Sequence, residues 1–277
     1  MGDEPLFYRT SAFKYIFIVG ASRVGKTSLA SYLAKETCFE FLDEPWLPMF
    51  LPVLIRTQQL SQEVGLSMLN SYLDELGNNI LLYRRGNFRF RDASSIWKFK
   101  SIKMIVKRLW LLKSRNDAIE YSKSHCTRIF ITLPETTPFI DHFLSLSPDF
   151  LVVYMTRSQH AVINEYLEKQ WLSDEQLIQP RNNQPYRTFN LNGKKYYLPW
   201  WIEQNDAERF IGYNNKSRAE FAYLFFNKEA TLAIQRLGQH DKNRVLQLDF
   251  DIFIRDPAMI REKLFSMINE NNKELNL

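Results

Sequence analysis

Short apolar runs alternate along this chain with longer stretches of mixed character. Phe13–Val19, Phe39–Leu42, Arg128–Leu133, Phe150–Met155 and Arg244–Phe250 are rich in Ile, Val, Leu and Phe. Several end in Gly, Pro or an acidic residue, and they predict buried β-strands. Between them apolar residues recur at helical spacing. Helices are predicted over Thr27–Lys35, much of 60–75 and 95–123, Ile140–Leu146, about Ala161–Trp171, Arg218–Leu237 and Pro257–Asn269. Thr188–Leu191 and Lys194–Leu198 flank Asn192-Gly193, which supplies the two positive φ angles of a type I′ hairpin turn. The polar stretch 173–185, with Pro180, Pro185 and Asn182-Asn183, reads as a loop. Most strands are apolar throughout rather than alternating, so the sheet is expected to be parallel and covered by helices on both faces. No repeat, low-complexity tract or linker interrupts the pattern. The 277 residues therefore read as one α/β three-layer domain. Helical and hairpin regions at about 56–123 and 173–215 are expected on the substrate side.

The strand Phe13–Val19 runs directly into Gly20-Ala-Ser-Arg-Val-Gly25-Lys26-Thr27 and then a helix. This fits G-x-x-x-x-G-K-[ST] at every fixed position. The spacing has a physical reason. Gly20 and Gly25 let the chain curl so that successive backbone N–H groups converge on phosphate oxygens. The following helix turns its unpaired N–H groups and positive dipole end to the same anion. Lys26 adds a point charge, and the Thr27 hydroxyl can bond a phosphate or a metal. The strand–loop–helix setting predicts a phosphorylated nucleotide as ligand.

Charge and composition refine this only in part. Hydrophobic residues make up 45% of the chain and charged residues 24%, as in ordinary globular domains. No apolar run approaches the ~18–20 residues that span a bilayer. The stretch Tyr15–Val19 is too short for a signal-peptide core, and Leu6 stands where a myristoylation signal carries Ser or Thr. Cys38 and Cys126 lack metal-like spacing and read as reduced thiols of a cytoplasmic protein. The net charge of +5 is concentrated: residues 84–115 hold 11 Lys or Arg and one acid, Asp92. Such a stripe attracts anions, and its plainest reading is a solvated helix face. Ile102, Ile105, Val106 and Leu109 recur at helical spacing and are expected to point inward. Nucleic acid is not the expected partner.

Which nucleotide chemistry is involved turns on the other strand ends. A magnesium-dependent hydrolase needs a second strand ending in Asp. The strand at 128–133 instead runs into Leu133-Pro134-Glu135-Thr136, and that at 150–155 into Thr156-Arg157. An Arg at the C-terminal edge of the sheet suits a second anionic group, since ligands of open α/β sheets bind along that edge. No metal-ligand set is read in the sequence.

Four segments taken in order resemble the sulfotransferases that use 3′-phosphoadenosine 5′-phosphosulfate. Ile16–Leu33, with its loop, is similar to the family's 5′-phosphosulfate loop. Arg128–Pro148, with Thr132-Leu-Pro-Glu-Thr-Thr, looks like its Lys-Thr-Pro segment. Asp149–Leu167, with Val153-Tyr-Met-Thr-Arg157, looks like its 3′-phosphate segment. Val245–Ile268, with Leu248-Asp-Phe-Asp and Asp256-Pro257, is similar to its late Tyr-Glu-Asp-Leu…Asp-Pro stretch. The chain departs from the pattern at Lys26, where the family has Thr, and at Glu165, where its 3′-phosphate Ser falls. The Lys before Thr-Pro is also absent.

The resemblance implies sulfuryl transfer to a hydroxyl or amine of a glycan, small molecule or protein tyrosine, leaving adenosine 3′,5′-bisphosphate. It implies that Gly20, Arg23, Val24, Gly25, Lys26, Thr27 and Ser28 hold the 5′ end of the donor. Arg23 and Lys26 would neutralise charge on the bridging oxygen. Arg157, helped by Ser158, would take the 3′-phosphate. Glu44, just beyond the second strand, stands where several members place a catalytic base, and Pro45 and Trp46 are expected to desolvate it. Asp43 and Glu135 are rival bases. His125, His142 and His160 are lone histidines. The aromatic segment Tyr186–Trp201 reads as a hairpin packed on the core, or as an acceptor-side lid. Lys26 and Glu165 keep two alternatives open: an ATP–magnesium-dependent kinase or NTPase, and a non-catalytic nucleotide-binding module.

Overall fold

The structure is a computed structural model that describes residues 11–92, 95–179 and 185–274. The chain runs β1 (Lys14–Gly20), α1 (Lys26–Leu33), β2 (Phe39–Asp43), α2 (Trp46–Arg56), α3 (Gln62–Leu81), α4 (Ile102–Leu111), α5 (Arg115–Ser124) and β3 (Arg128–Pro134). It continues through α6 (Ile140–Ser145), β4 (Leu151–Thr156), α7 (Gln159–Glu168), α8 (Asp174–Ile178), β5 (Tyr186–Leu191) and β6 (Lys194–Pro199). It closes with α9 (Ala207–Gly212), α10 (Asn215–Arg236), α11 (Gln239–Asn243), β7 (Val245–Asp249), α12 (Phe250–Arg255) and α13 (Pro257–Glu274).

Five strands form one parallel sheet in the order β2-β3-β1-β4-β7. Every residue of β1 from Tyr15 to Gly20 is buried, as are Arg128–Leu133 and Leu151–Met155. Burial on both faces is what the unbroken apolar runs predicted. The core is aromatic around β1, where Phe17 stacks on Phe143 at 4.7 Å and Tyr15 meets Phe150 edge-on. β5 and β6 form a separate antiparallel hairpin whose Asn192 and Gly193 have φ of 52° and 75°. Trp200 and Trp201, at its foot, are buried against Phe139 and Phe225. These two rings belong to the core. No helix among the described residues is long and apolar enough to cross a membrane.

Three predicted elements differ. α2 was not predicted, because Pro48 and Pro52 break the helical reading. Pro48 falls in the first turn, where a missing N–H costs nothing. Pro52 is buried and offsets its lost hydrogen bond by packing. The stretch 95–123 is not continuous. It breaks at Leu112–Ser114, where a capping box between Ser114 and Asp117 starts α5. The expected loop 173–185 contains the short helix α8, capped by Ser173, while 180–184 lie outside the described residues. The N-terminal residues weighed for acylation also lie outside them.

The fourth difference concerns α4. Ile105 is buried as expected, but Ile102, Val106 and Leu109 are 68%, 58% and 53% exposed. Arg108 takes the inward position instead. Its Nη2 lies 2.7 Å from Oε1 of buried Glu40 on β2, and Lys100 Nζ lies 3.3 Å from the same oxygen. The guanidinium is sandwiched between the Tyr83 and Tyr121 rings, 4.9 and 4.8 Å from their centroids. Lys100 also donates to the Phe39 carbonyl at 2.5 Å. A carboxylate buried in β2 thus sets the rotation of α4, since an unpaired buried charge costs more than exposing a few apolar side chains. Glu40→Ala should therefore destabilise the fold by about 3–5 kcal/mol. A triple replacement of Glu40, Lys100 and Arg108 by Met should recover much of that loss. Urea unfolding checks both, and an unchanged midpoint for Glu40→Ala would show that the triad is not what holds α4.

Candidate functional site

β1 lies between β3 and β4, so the chain leaves its C-terminal end where the sheet order reverses. A crevice opens there in doubly wound sheets. The loop Gly20–Thr27 fills it. Gly25 has φ +90°, and a Cβ there would lie 2.1 Å from the Phe250 ring. A Cβ on Gly20 would meet the Met155 carbonyl at 2.6 Å. The loop is thus wedged against the ends of β4 and β7, and only glycine fits at both positions. α1 starts at Lys26 with Gly25 as its cap and no side-chain cap. The backbone N–H groups of Val24, Gly25, Lys26 and Thr27 have no hydrogen-bond acceptor among the described residues. They leave the start of α1 with unpaired donors turned to the cleft.

Lys26 is buried beneath this loop. Its ammonium donates to the Ala21 carbonyl at 2.6 Å and the Gly20 carbonyl at 3.4 Å. Burial lowers its pKa to about 8, against the upward pull of Glu44, Glu135 and Asp43. These three carboxylates come from the ends of β2 and β3. Asp43 Oδ1 accepts from the Thr132 hydroxyl at 2.5 Å and from the Thr27 hydroxyl at 3.2 Å. The Glu44 N–H donates to the Thr132 hydroxyl oxygen at 3.2 Å, which holds Glu44 at φ +44°. Glu135 also has positive φ, at +60°. It donates its N–H to the Gly20 carbonyl and accepts from Ser22 Oγ at 3.3 Å.

Glu44 lines the cleft and stays exposed at its lip. Its carboxyl is pushed upward by the protein around it and by Asp43, and pulled back by Lys26 and Arg23. Trp46 does not shield it: that ring is 57% exposed and packs on Phe50. Pro45, the other expected neighbour, is buried.

The opposite wall carries the basic groups. Arg23, at φ +68°, makes a two-nitrogen contact to Glu165 Oε2 at 2.9 and 2.6 Å. Arg157, following β4, donates to the Arg23 carbonyl at 3.1 Å and lies 3.6 Å from Glu165 Oε1. The Phe250 ring, 4.9 Å from the Arg157 guanidinium, supports it from below, and Tyr223 Oη donates to the Arg157 carbonyl. The two arginines hold the Glu165 carboxyl below the usual range, with the hydrogen bond from Arg23 the main cause. Together these groups border a cleft of about 280 Å³.

Arg23, Gly25, Lys26, Thr27, Ser28, Glu44 and Arg157 all line this cleft, with Gly20 and Val24 in the loop behind it. Ser158 does not line it; it is the exposed first residue before α7 and makes no side-chain cap bond. His125 stacks on Tyr121, His142 bonds Asp141 and His160 faces Asn164, all away from the cleft. Sequence reasoning missed Phe250 and Trp171 as cleft walls. Phe250 was legible in principle, because it follows the last strand at the same sheet edge. Trp171 sits in a turn beyond α7, and no local pattern marks it. Among the described residues no group of three His, Cys, Asp or Glu side chains has the arrangement to hold a metal ion.

No family model matches this chain, and no curated protein does. Among solved structures, the sulfotransferase domain from the curacin biosynthetic pathway is similar at 12% identity and a TM-score of 0.47, over 94% of this chain and 75% of that one. The sulfotransferase domain of the Synechococcus PCC 7002 olefin synthase is similar at 14% and 0.46, over 94% and 74%. The tRNA isopentenylpyrophosphate transferase of Bacillus halodurans is similar at 11% and 0.39, over 95% and 99%. The functional reading accordingly rests on the residues of the cleft.

Lys26 titrates near 8 in the folded chain and at its ordinary 10.5 when unfolded. Between those values the unfolded chain binds more protons, so this group's contribution to stability rises with pH across the window and is most unfavourable below it. Compared with Lys26→Met, the native chain should gain stability from pH 8 to 10.5 in urea unfolding. A difference that stays flat over that range would show that Lys26 is not buried as a charge.

Proposed function

We propose that this chain is a sulfotransferase that moves a sulfuryl group from 3′-phosphoadenosine 5′-phosphosulfate to a hydroxyl or amine acceptor. One observation carries the reading. Of the two strands beside β1, β4 runs not into an acid but into Arg157, which grips the phosphate-type loop by its Arg23 carbonyl and lines the same cleft. Its side chain is 22% exposed, so part of the guanidinium is open to an anion. The open N–H groups of Val24–Thr27 fit a second phosphate a loop's width away. A donor phosphorylated at both ends of its ribose matches two anion seats better than a single polyphosphate tail does.

When bound, the donor supplies an activated sulfuryl group on a phosphate leaving group. The chain's own residues do the rest. The loop N–H groups with the Thr27 and Ser28 hydroxyls bind the 5′-phosphate, and Arg157 binds the 3′-phosphate. Lys26 and Arg23 oppose the negative charge that grows on the leaving oxygen. Glu44, raised in pKa yet open to the cleft, accepts the acceptor's proton. Acid-end neighbours Asp43 and Glu135 keep Lys26 charged despite its burial. Glu165 counterbalances Arg23 and Arg157 in the absence of the donor and has to yield to it.

A second reading, an ATP–magnesium-dependent kinase, is favoured by the Thr27–Asp43 bond. A hydroxyl after the loop lysine and a carboxylate at the end of β2 are the pair that holds magnesium on such loops.

Binding separates the two. Adenosine 3′,5′-bisphosphate should stabilise the chain in a thermal-shift assay more than ATP with magnesium, and stabilisation by ATP–magnesium alone would overturn the sulfotransferase reading. Glu165→Gln should tighten adenosine 3′,5′-bisphosphate about two- to fivefold by calorimetry, because a partly exposed ion pair is worth up to about 1 kcal/mol. Glu44→Gln should lower turnover by roughly 10²–10⁴ with nucleotide affinity nearly kept. Unchanged turnover would remove Glu44 as the base.

A further inference from the structure

The outward rotation of α4 leaves a surface that the cleft does not use. On a helix of 3.6 residues per turn, Leu109, Ile102, Val106 and Trp110 fall side by side over less than a third of the circumference. All four are exposed, from 53% for Leu109 to 78% for Trp110. Lys103 and Lys107 form the next row round the same helix, and both are exposed. The inward side holds Ile105 and Arg108, the latter fixed to Glu40. The face therefore cannot turn in to bury itself. The preceding segment carries Arg84, Arg85, Arg89 and Arg91, all exposed, with Phe90 stacked on Trp97.

We propose that this face of α4 docks on an anionic lipid bilayer surface. The arrangement matches what such a surface accepts from a helix lying in its plane: an aliphatic row entering the acyl boundary, an indole at its border and basic side chains at headgroup level. The charge is complementary: with Lys100 and Arg108 buried on Glu40 and Arg115 paired with Asp74, eight exposed Lys or Arg remain over residues 84–115 against one acid, Asp92, and each basic group near an anionic leaflet strengthens binding about fivefold. A nucleic-acid backbone would engage the lysines but offers nothing to a row of Leu, Ile and Val. The site in the cleft lies on other elements, so this docking does not rest on the proposed sulfuryl chemistry.

Co-sedimentation of the full chain with extruded vesicles tests it. Binding is expected to vesicles of phosphatidylcholine mixed with phosphatidylglycerol, to weaken with salt, and to be slight with phosphatidylcholine alone. Val106→Glu should reduce binding about tenfold or more, and Lys103→Glu with Lys107→Glu likewise. Both changes fall on exposed positions, and unaltered thermal unfolding would confirm that the variants fold. Brominated lipids should quench tryptophan fluorescence in the native chain, and much less in Trp110→Phe, which places α4 itself in the interface. Three outcomes would overturn the proposal: no sedimentation with anionic vesicles, sedimentation unaffected by Val106→Glu, or salt-dependent binding to an oligonucleotide without binding to vesicles. Self-association abolished by Val106→Glu, again without vesicle binding, would assign the face to a second copy of this chain instead.

Discussion

Everything at the cleft depends on β1 being the central strand of the sheet, paired in parallel on both sides before its chain breaks into the loop. Pairing with β3 from Lys14–Arg128 to Gly20–Pro134, and with β4 from Ile16–Leu151 to Val19–Tyr154, fixes where β1 stops. Parallel strands point the same way, so the residues after β2, β3 and β4 emerge together around that stop. Asp43-Glu44, Glu135 and Arg157 come from three different strands, and none is near another in sequence beyond the first two. Their meeting is a property of sheet direction. The two glycines do the remaining work, by letting the loop press against the Met155 carbonyl and the Phe250 ring.

The cleft has an unusual electrostatic balance. Three carboxylates stand on the side of β2 and β3, two guanidiniums on the side of β4, and Lys26 is buried between the groups. Each positive group is held by the protein itself: Lys26 by loop carbonyls, Arg23 and Arg157 by Glu165. A dianionic ligand is therefore not entering an uncompensated positive hole. On the proposed reading it would exchange places with Glu165, which would limit the affinity it gains.

The sequence was most legible where burial and geometry leave few choices. The parallel sheet, the loop between strand and helix, the Asn-Gly hairpin and the long α10 follow from apolar runs and from residues with special φ preferences. That Glu44 and Arg157 reach one cleft was legible because strand ends are legible, and that Lys26 does was legible from the loop pattern. What could not be read were features settled by partners distant in sequence. Pro48 and Pro52 mask α2, whose stability comes from packing. The helical spacing of Ile102, Ile105, Val106 and Leu109 suggested an inward face, yet Glu40, 68 residues before Arg108, claims that arginine for the interior. Periodicity finds the stripe but not its direction when a buried charge outbids it. Ser158 looked like a phosphate helper from its place beside Arg157; the turn into α7 carries it away from the cleft.

Glu40 also ties two regions of the molecule into one mechanical unit. It sits on β2 three positions before Asp43, so their side chains leave the strand on opposite faces. One reaches Lys100 and Arg108, the other Thr27 and Thr132. A pull on α4 is therefore borne by the same five-residue strand whose last carboxylate steadies the start of α1. Sequence drift at α4 is constrained from the inside, by an acid that cannot lose its bases without loosening the strand that borders the cleft.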